Sequence, residues 1–128
     1  MNTSEIRYIQ KACSITDNIF KEIVQKLKKN YFKTELDIAN FVKQRAKELK
    51  LKLAFPPLIV AGKNAAEIHH IPNKTRLTKG FLIIDIGIKY KGYSSDLTRT
   101  VFINKPTKKE IKLYNLILEA QKTALMYA

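Results

Sequence analysis

Two aspartates carry the strongest chemical signal in this chain. Asp85 lies inside the apolar run LIIDIGI, and Asp96 lies eleven residues later inside YSSDLTRT. Both segments read as strands, with Gly92 between them, so the pair predicts a β-hairpin. A turn centred between Tyr90 and Lys91 makes residues whose numbers sum to 181 face each other. Asp85 and Asp96 are then direct partners on one face, with Cβ atoms roughly 4.5–5.5 Å apart. Two carboxylates that close repel, and the apolar strand around Asp85 adds a desolvation cost. A divalent cation held between them removes both penalties. Hard oxygen ligands mixed with histidine suit manganese, cobalt, zinc or iron, and two metals sharing bridging carboxylates activate water. Two other readings of the residues remain open: a strand-ending Asp85 with a turn-capping Asp96, and a carboxylate dyad sharing one proton.

Other reactive side chains are few. His69 and His70 are adjacent in a polar stretch. Imidazole is a general acid–base group and a hydrogen-bond donor for developing negative charge. His70 reads as a surface or packing residue rather than a ligand. Thr98 shares the face of Asp96, two residues away, and suits a hydroxyl that orients a ligand. It equally suits a strand threonine chosen for β propensity. Arg99 points to the opposite face. Gly87 and Gly92 read as backbone devices. The lone Cys13 rules out an internal disulfide and a cysteine-based zinc cluster.

The elements that position these groups follow from periodicity and caps. Residues 4–28 predict an amphipathic helix with Ile6, Ile9, Cys13, Phe20, Ile23, Val24 and Leu27 on one face, capped by Thr3 or Ser4. Residues 35–49 predict a second helix, opened by Thr34 with Asp37 in the manner of a capping box. Pro56 and Pro57 forbid a central strand but permit one from Leu58. Gly62 to Lys79 is a long polar connection, a length often given to function. The hairpin follows, within a strand region spanning 54–103. Thr107 and Glu110 then open a last helix over 107–127.

The 128 residues suffice for one ordinary domain, and the 45% hydrophobic content argues against disorder. No apolar run is long enough to span a membrane, and the N-terminus lacks the apolar stretch of a signal peptide. A cytoplasmic, non-membrane protein is the expectation. Lys and Arg number 24 against 11 Asp and Glu, a formal charge of +13. Such a field attracts polyanions, so nucleic acid is a possible partner. Lysines scattered singly over helix faces, or a missing acidic remainder, explain the charge more simply.

The segment FLIIDIGIKYKGYSSDLTRTVF at 81–102 closely resembles the Xaa-Pro aminopeptidase and Xaa-Pro dipeptidase family. FPPLIVAGKNAAEIHH at 55–70 and PTKKEIKLYNLILEAQKTAL at 106–125 are similar to it in the same order. Methionine aminopeptidases share the fold and aspartate pair, but SSDLTRT favours the proline-specific branch; creatinases share the fold without the metal. The resemblance implies an α+β chain, the N-terminal half of a pita-bread fold, with residues 1–128 forming part of a catalytic domain. It implies that Asp85 and Asp96 are metal ligands, that His69 is the active-site histidine, and that two divalent ions act, manganese being the first choice. The implied reaction is hydrolysis of the first peptide bond, ahead of proline, by a metal-bridged hydroxide.

The same resemblance calls for three further ligands, one histidine and two glutamates, that match nothing here. It implies that the chain alone is inactive, as a fragment, as half of a split enzyme completed by a C-terminal half or by oligomerisation, or as a degenerate relative that binds peptide, protein or RNA.

Overall fold

The computed structural model describes residues 2–127. Helix α1 spans Thr3–Lys28 and is capped by Asn2, whose side chain accepts from the Glu5 amide at 2.9 Å. Glu5 returns the favour by accepting from the Asn2 amide at 3.2 Å. The cap therefore falls before Thr3 and Ser4, because a reciprocal box needs a glutamate three residues on, and only Asn2 has one. Helix α2 spans Glu35–Glu48 behind the Thr34–Asp37 box. Both helices close with a left-handed residue, Asn30 (φ 53°) and Lys50 (φ 58°). The amides of Tyr31 and Leu51 then reach back to the carbonyls of Lys26 and Ala46, which satisfies the helix ends.

The buried face of α1 carries Ala12, Thr16, Ile19 and Ile23. It is rotated from the face expected from bulky apolar residues, and Ile6 and Cys13 are exposed. The small residues Ala12 and Thr16 let the helix lie close against the hairpin, a requirement that a count of large side chains does not register.

Among the described residues, six strands form two small antiparallel sheets: β1 (Lys52–Leu53), β2 (Leu58–Ala61), β3 (Gly80–Ile86), β4 (Ile88–Tyr90), β5 (Tyr93–Ser94) and β6 (Leu97–Ile103). One sheet is ordered β2-β3-β6 and the other β1-β4-β5. A single long hairpin runs through both. Its two-residue turn is Lys91-Gly92, with φ of 48° and 84°, the positive-φ pair that the natural twist of a tight hairpin prefers. The pairing therefore sums to 183, with Tyr90 opposite Tyr93 and Asp85 opposite Thr98. The expected register, which set Asp85 directly against Asp96, is wrong by two residues because the turn lies one residue later than assumed. A shift of two preserves the face, so Asp96 is a diagonal neighbour of Asp85.

Leu82, Ile84, Ile86 and Ile88 point inward and pack with Ile59, α1 and α2 in one core. Phe81, Ile83 and Asp85 project to the other face of the sheet, where their partners are Phe102, Thr100 and Thr98. Helix α3 (Lys108–Met126) follows the Thr107–Glu110 box and meets that face through Ile111 and Tyr114. No described residue of α3 is buried; Leu116, Ile117 and Leu125 are each more than 60% exposed.

Candidate metal centre

Asp85 sits on β3, on the sheet face turned away from the two N-terminal helices. Its Oδ1 is buried and lacks a hydrogen-bond partner among the described residues. Burial pushes the carboxyl above its ordinary range; Thr98 pulls in the opposite direction, and the Asp96 carboxylate adds to the rise. Asp85, Asp96 and Thr98 are thus brought together. An apolar strand has placed an unsatisfied oxygen beside a second acid, an arrangement that costs stability in the free chain.

The approach of Asp96 depends on how the hairpin is interrupted between its two sheets. Gly87 stands there, and a Cβ on it would lie 2.3 Å from the Ser95 carbonyl oxygen and 2.6 Å from the Phe55 ring. Only glycine admits that contact. Ser95 is buried, and its hydroxyl accepts from the Ile88 amide at 2.9 Å, replacing a ladder bond. It also meets the Thr16 hydroxyl of α1 at 2.5 Å. The residue just before Asp96 is therefore fixed by α1 and by the opposite strand.

His69 is exposed on a turn at 68–69 between the exposed Ile68 and Ile71. No hydrogen bond or ion pair joins it to the aspartates among the described residues. His70 is buried, and its Nε2 lies 2.7 Å from Glu35 Oε1, in keeping with the expected packing role. Glu35 itself was not recognisable in the sequence. At the start of a helix it reads as a favourable charge for the dipole, whereas it is wholly buried. Burial alone would raise its pKa, but hydrogen bonds from His70, Ala61, Asn64 and Asn73 outweigh burial and lower it. The His70 imidazole is raised, first by Glu35, against burial, with help from Glu67.

The donor set fits a divalent cation in part. An orphaned oxygen and a neighbouring carboxylate are hard, anionic ligands of the required kind. Among the described residues no group of three or more His, Cys, Asp and Glu side chains converges for a metal, so the pair supplies only one side of a coordination sphere.

A helix-backed antiparallel sheet presenting two neighbouring aspartates on the face turned away from its N-terminal helices is the architecture of one class of metallopeptidase. Metallopeptidase family M24 matches residues 7–128, and the chain belongs to that family. It is 34% identical over 123 residues to an Xaa-Pro dipeptidase of Pyrococcus horikoshii, covering 94% of this chain and 34% of that protein. A prolidase structure from Thermococcus sibiricus superposes with a TM-score of 0.83 at 36% identity, covering 96% of this chain and 34% of the other. An X-Pro aminopeptidase from Thermotoga maritima gives 0.84 at 27% identity, covering 98% and 36%. The fold is thus the pita-bread fold of prolidases and aminopeptidase P. The chain spans about a third of the length of these relatives.

Proposed function

We propose that this chain contributes to a metal-dependent aminopeptidase that hydrolyses the peptide bond between an N-terminal residue and a following proline. The observation that carries the reading is the pairing of Asp85, with its unpartnered Oδ1, and Asp96 within an M24 chain. The two carboxylates would hold divalent cations, with manganese the first choice, and Thr98 would orient Asp85. A bound cation of this kind supplies Lewis acidity toward a carbonyl and makes water more acidic.

The remaining work falls to the chain's own groups. His69, exposed on its turn, can donate a hydrogen bond where negative charge develops on the scissile carbonyl oxygen. We assign the missing donors, one histidine and two glutamates by family resemblance, to polypeptide outside these residues, either continuous with the chain or supplied by a partner. On this reading the 128 residues alone do not turn over.

Release of the first amino acid from an Xaa-Pro peptide, with manganese or cobalt and with the complementing polypeptide present, tests the proposal. Activity that falls at least about a hundredfold in Asp85→Ala and Asp96→Ala supports it; activity unchanged in both refutes it.

The charge of +13 favours one other reading, a non-catalytic module of the same fold that binds RNA or an acidic partner. It requires salt-sensitive binding that survives loss of both aspartates. A mobility-shift assay at two salt concentrations separates the two.

A further inference from the structure

The long connection between β2 and β3 is tied down at its middle by one side chain. Glu35 opens α2 and is completely buried, yet its carboxylate bonds only to residues of this connection and its first hinge. Oε2 accepts from the Ala61 amide at 2.6 Å and from Asn64 Nδ2 at 3.1 Å. Oε1 meets His70 Nε2 at 2.7 Å and accepts from the Asn73 amide at 3.3 Å. The helix end reinforces this set, since the Glu35 and Leu36 amides donate to the Thr75 and Asn73 carbonyls at 3.0 and 2.9 Å. His70 is held at both ring nitrogens, because its Nδ1 lies 3.4 Å from Glu67 Oε2. A ring between two carboxylates can donate to both only as imidazolium. Glu67 and His70 thus bracket the two-residue turn at 68–69, and the exposed His69 sits on it.

The geometry points to Glu35 as a positioning residue that, acting through His70, holds the turn from which His69 is presented to substrate. The chain of contacts is short: the buried carboxylate fixes the His70 ring, the ring fixes the end of the turn, and His69 is its neighbour. A histidine needed where charge develops is effective only when its backbone is already placed. An exposed turn with two outward isoleucines has little packing of its own to provide that order. The inference rests on the reading of His69 as an active-site group and adds to it the residue that keeps His69 in place.

Glu35→Gln keeps the side-chain shape and removes the charge. Amide hydrogen exchange and the imidazole nitrogen resonances of His69 and His70, recorded on the whole chain at pH 6, test the inference. Loss of charge-assisted bonds is expected to speed exchange across residues 61–76 by at least about tenfold. Core amides at Ile23, Val42 and Ile84 are expected to stay within about twofold. The His69 ring resonances should move or broaden, and His70 should lose the two-proton imidazolium signature. Glu67→Gln, at the longer and exposed contact, should have the smaller effect. If Glu35→Gln does not fold, His70→Gln carries the same comparison. Exchange that is unchanged in the connection, or that rises equally throughout the chain, overturns the inference. Failure of the peptidase reading would appear separately, as cleavage indifferent to the two aspartates, and would leave the exchange result intact.

Discussion

Asp85 faces Thr98 across the β3–β6 ladder, and Asp96 stands diagonally beyond it on the same sheet face. The hydroxyl and the second carboxylate act on Asp85 in opposite senses, Thr98 favouring its ionised form and Asp96 opposing it. With Oδ1 buried and unpaired among the described residues, the Thr98 bond does not offset the cost of burial at Asp85. This imbalance makes the site visible without any bound ion, and it yields a stability test.

Asp85→Asn should stabilise the metal-free chain by about 1 kcal/mol, because it removes a buried charge beside a like charge. Thermal denaturation in chelator should show a higher midpoint for the variant. Adding manganese should raise the midpoint of the wild type and not that of Asp85→Asn. A lower midpoint for the variant in chelator would mean that Asp85 is satisfied in a way this geometry lacks.

Gly87→Ala tests the interruption between the sheets. The new methyl meets the Ser95 carbonyl at 2.3 Å and the Phe55 ring at 2.6 Å, so backbone must move. We expect a loss of about 2–3 kcal/mol from overpacking, read as a lower urea midpoint at unchanged slope. The backbone φ at Gly87 is not in the left-handed region, so the penalty is steric alone.

Ser95→Ala removes the acceptor for the Ile88 amide and the partner of Thr16. A buried amide left without a partner costs about 1–3 kcal/mol. Since Asp96 is the next residue, the same variant should weaken manganese binding while Thr16→Ser leaves it nearly unchanged. Equal metal affinity in Ser95→Ala and wild type would show that Asp96 is placed by other means.

The Glu35–His70 pair gives stability a defined pH window. Glu35 is lowered from 4.5, so its contribution is fully present above that value and is lost as pH falls through the depressed pKa. His70 is raised from 6.5, so its contribution is fully present below that value and is lost as pH rises through the elevated pKa. The midpoint difference between wild type and His70→Gln should therefore be greatest between pH 4.5 and 6.5. It should shrink toward alkaline pH. A difference that grows above pH 8 would contradict an imidazolium at this position.

What could be read without the structure was local. Two capping boxes, at Thr34–Asp37 and Thr107–Glu110, are four-residue patterns and mark their helices directly. The hairpin also announces itself through the strongly apolar run from Phe81 and through Gly92. Register was harder, because either Tyr90-Lys91 or Lys91-Gly92 can be drawn as the turn, and Lys91 gives no sign that it adopts positive φ. The buried pair was out of reach: Glu35 and His70 are far apart in sequence, and neither type is expected in a core. The face of α1 was misplaced because Ala12 and Thr16, which set its approach, are neither large nor strongly apolar.

The most direct test of the central claim is a manganese titration of the isotope-labelled chain followed by paramagnetic broadening of its amide signals. Selective broadening at residues 84–87 and 95–98, weak in affinity and abolished in the Asp85→Ala/Asp96→Ala double variant, is the predicted result. Broadening that is absent, that centres elsewhere, or that persists without both carboxylates would contradict a metal centre on this face of the sheet.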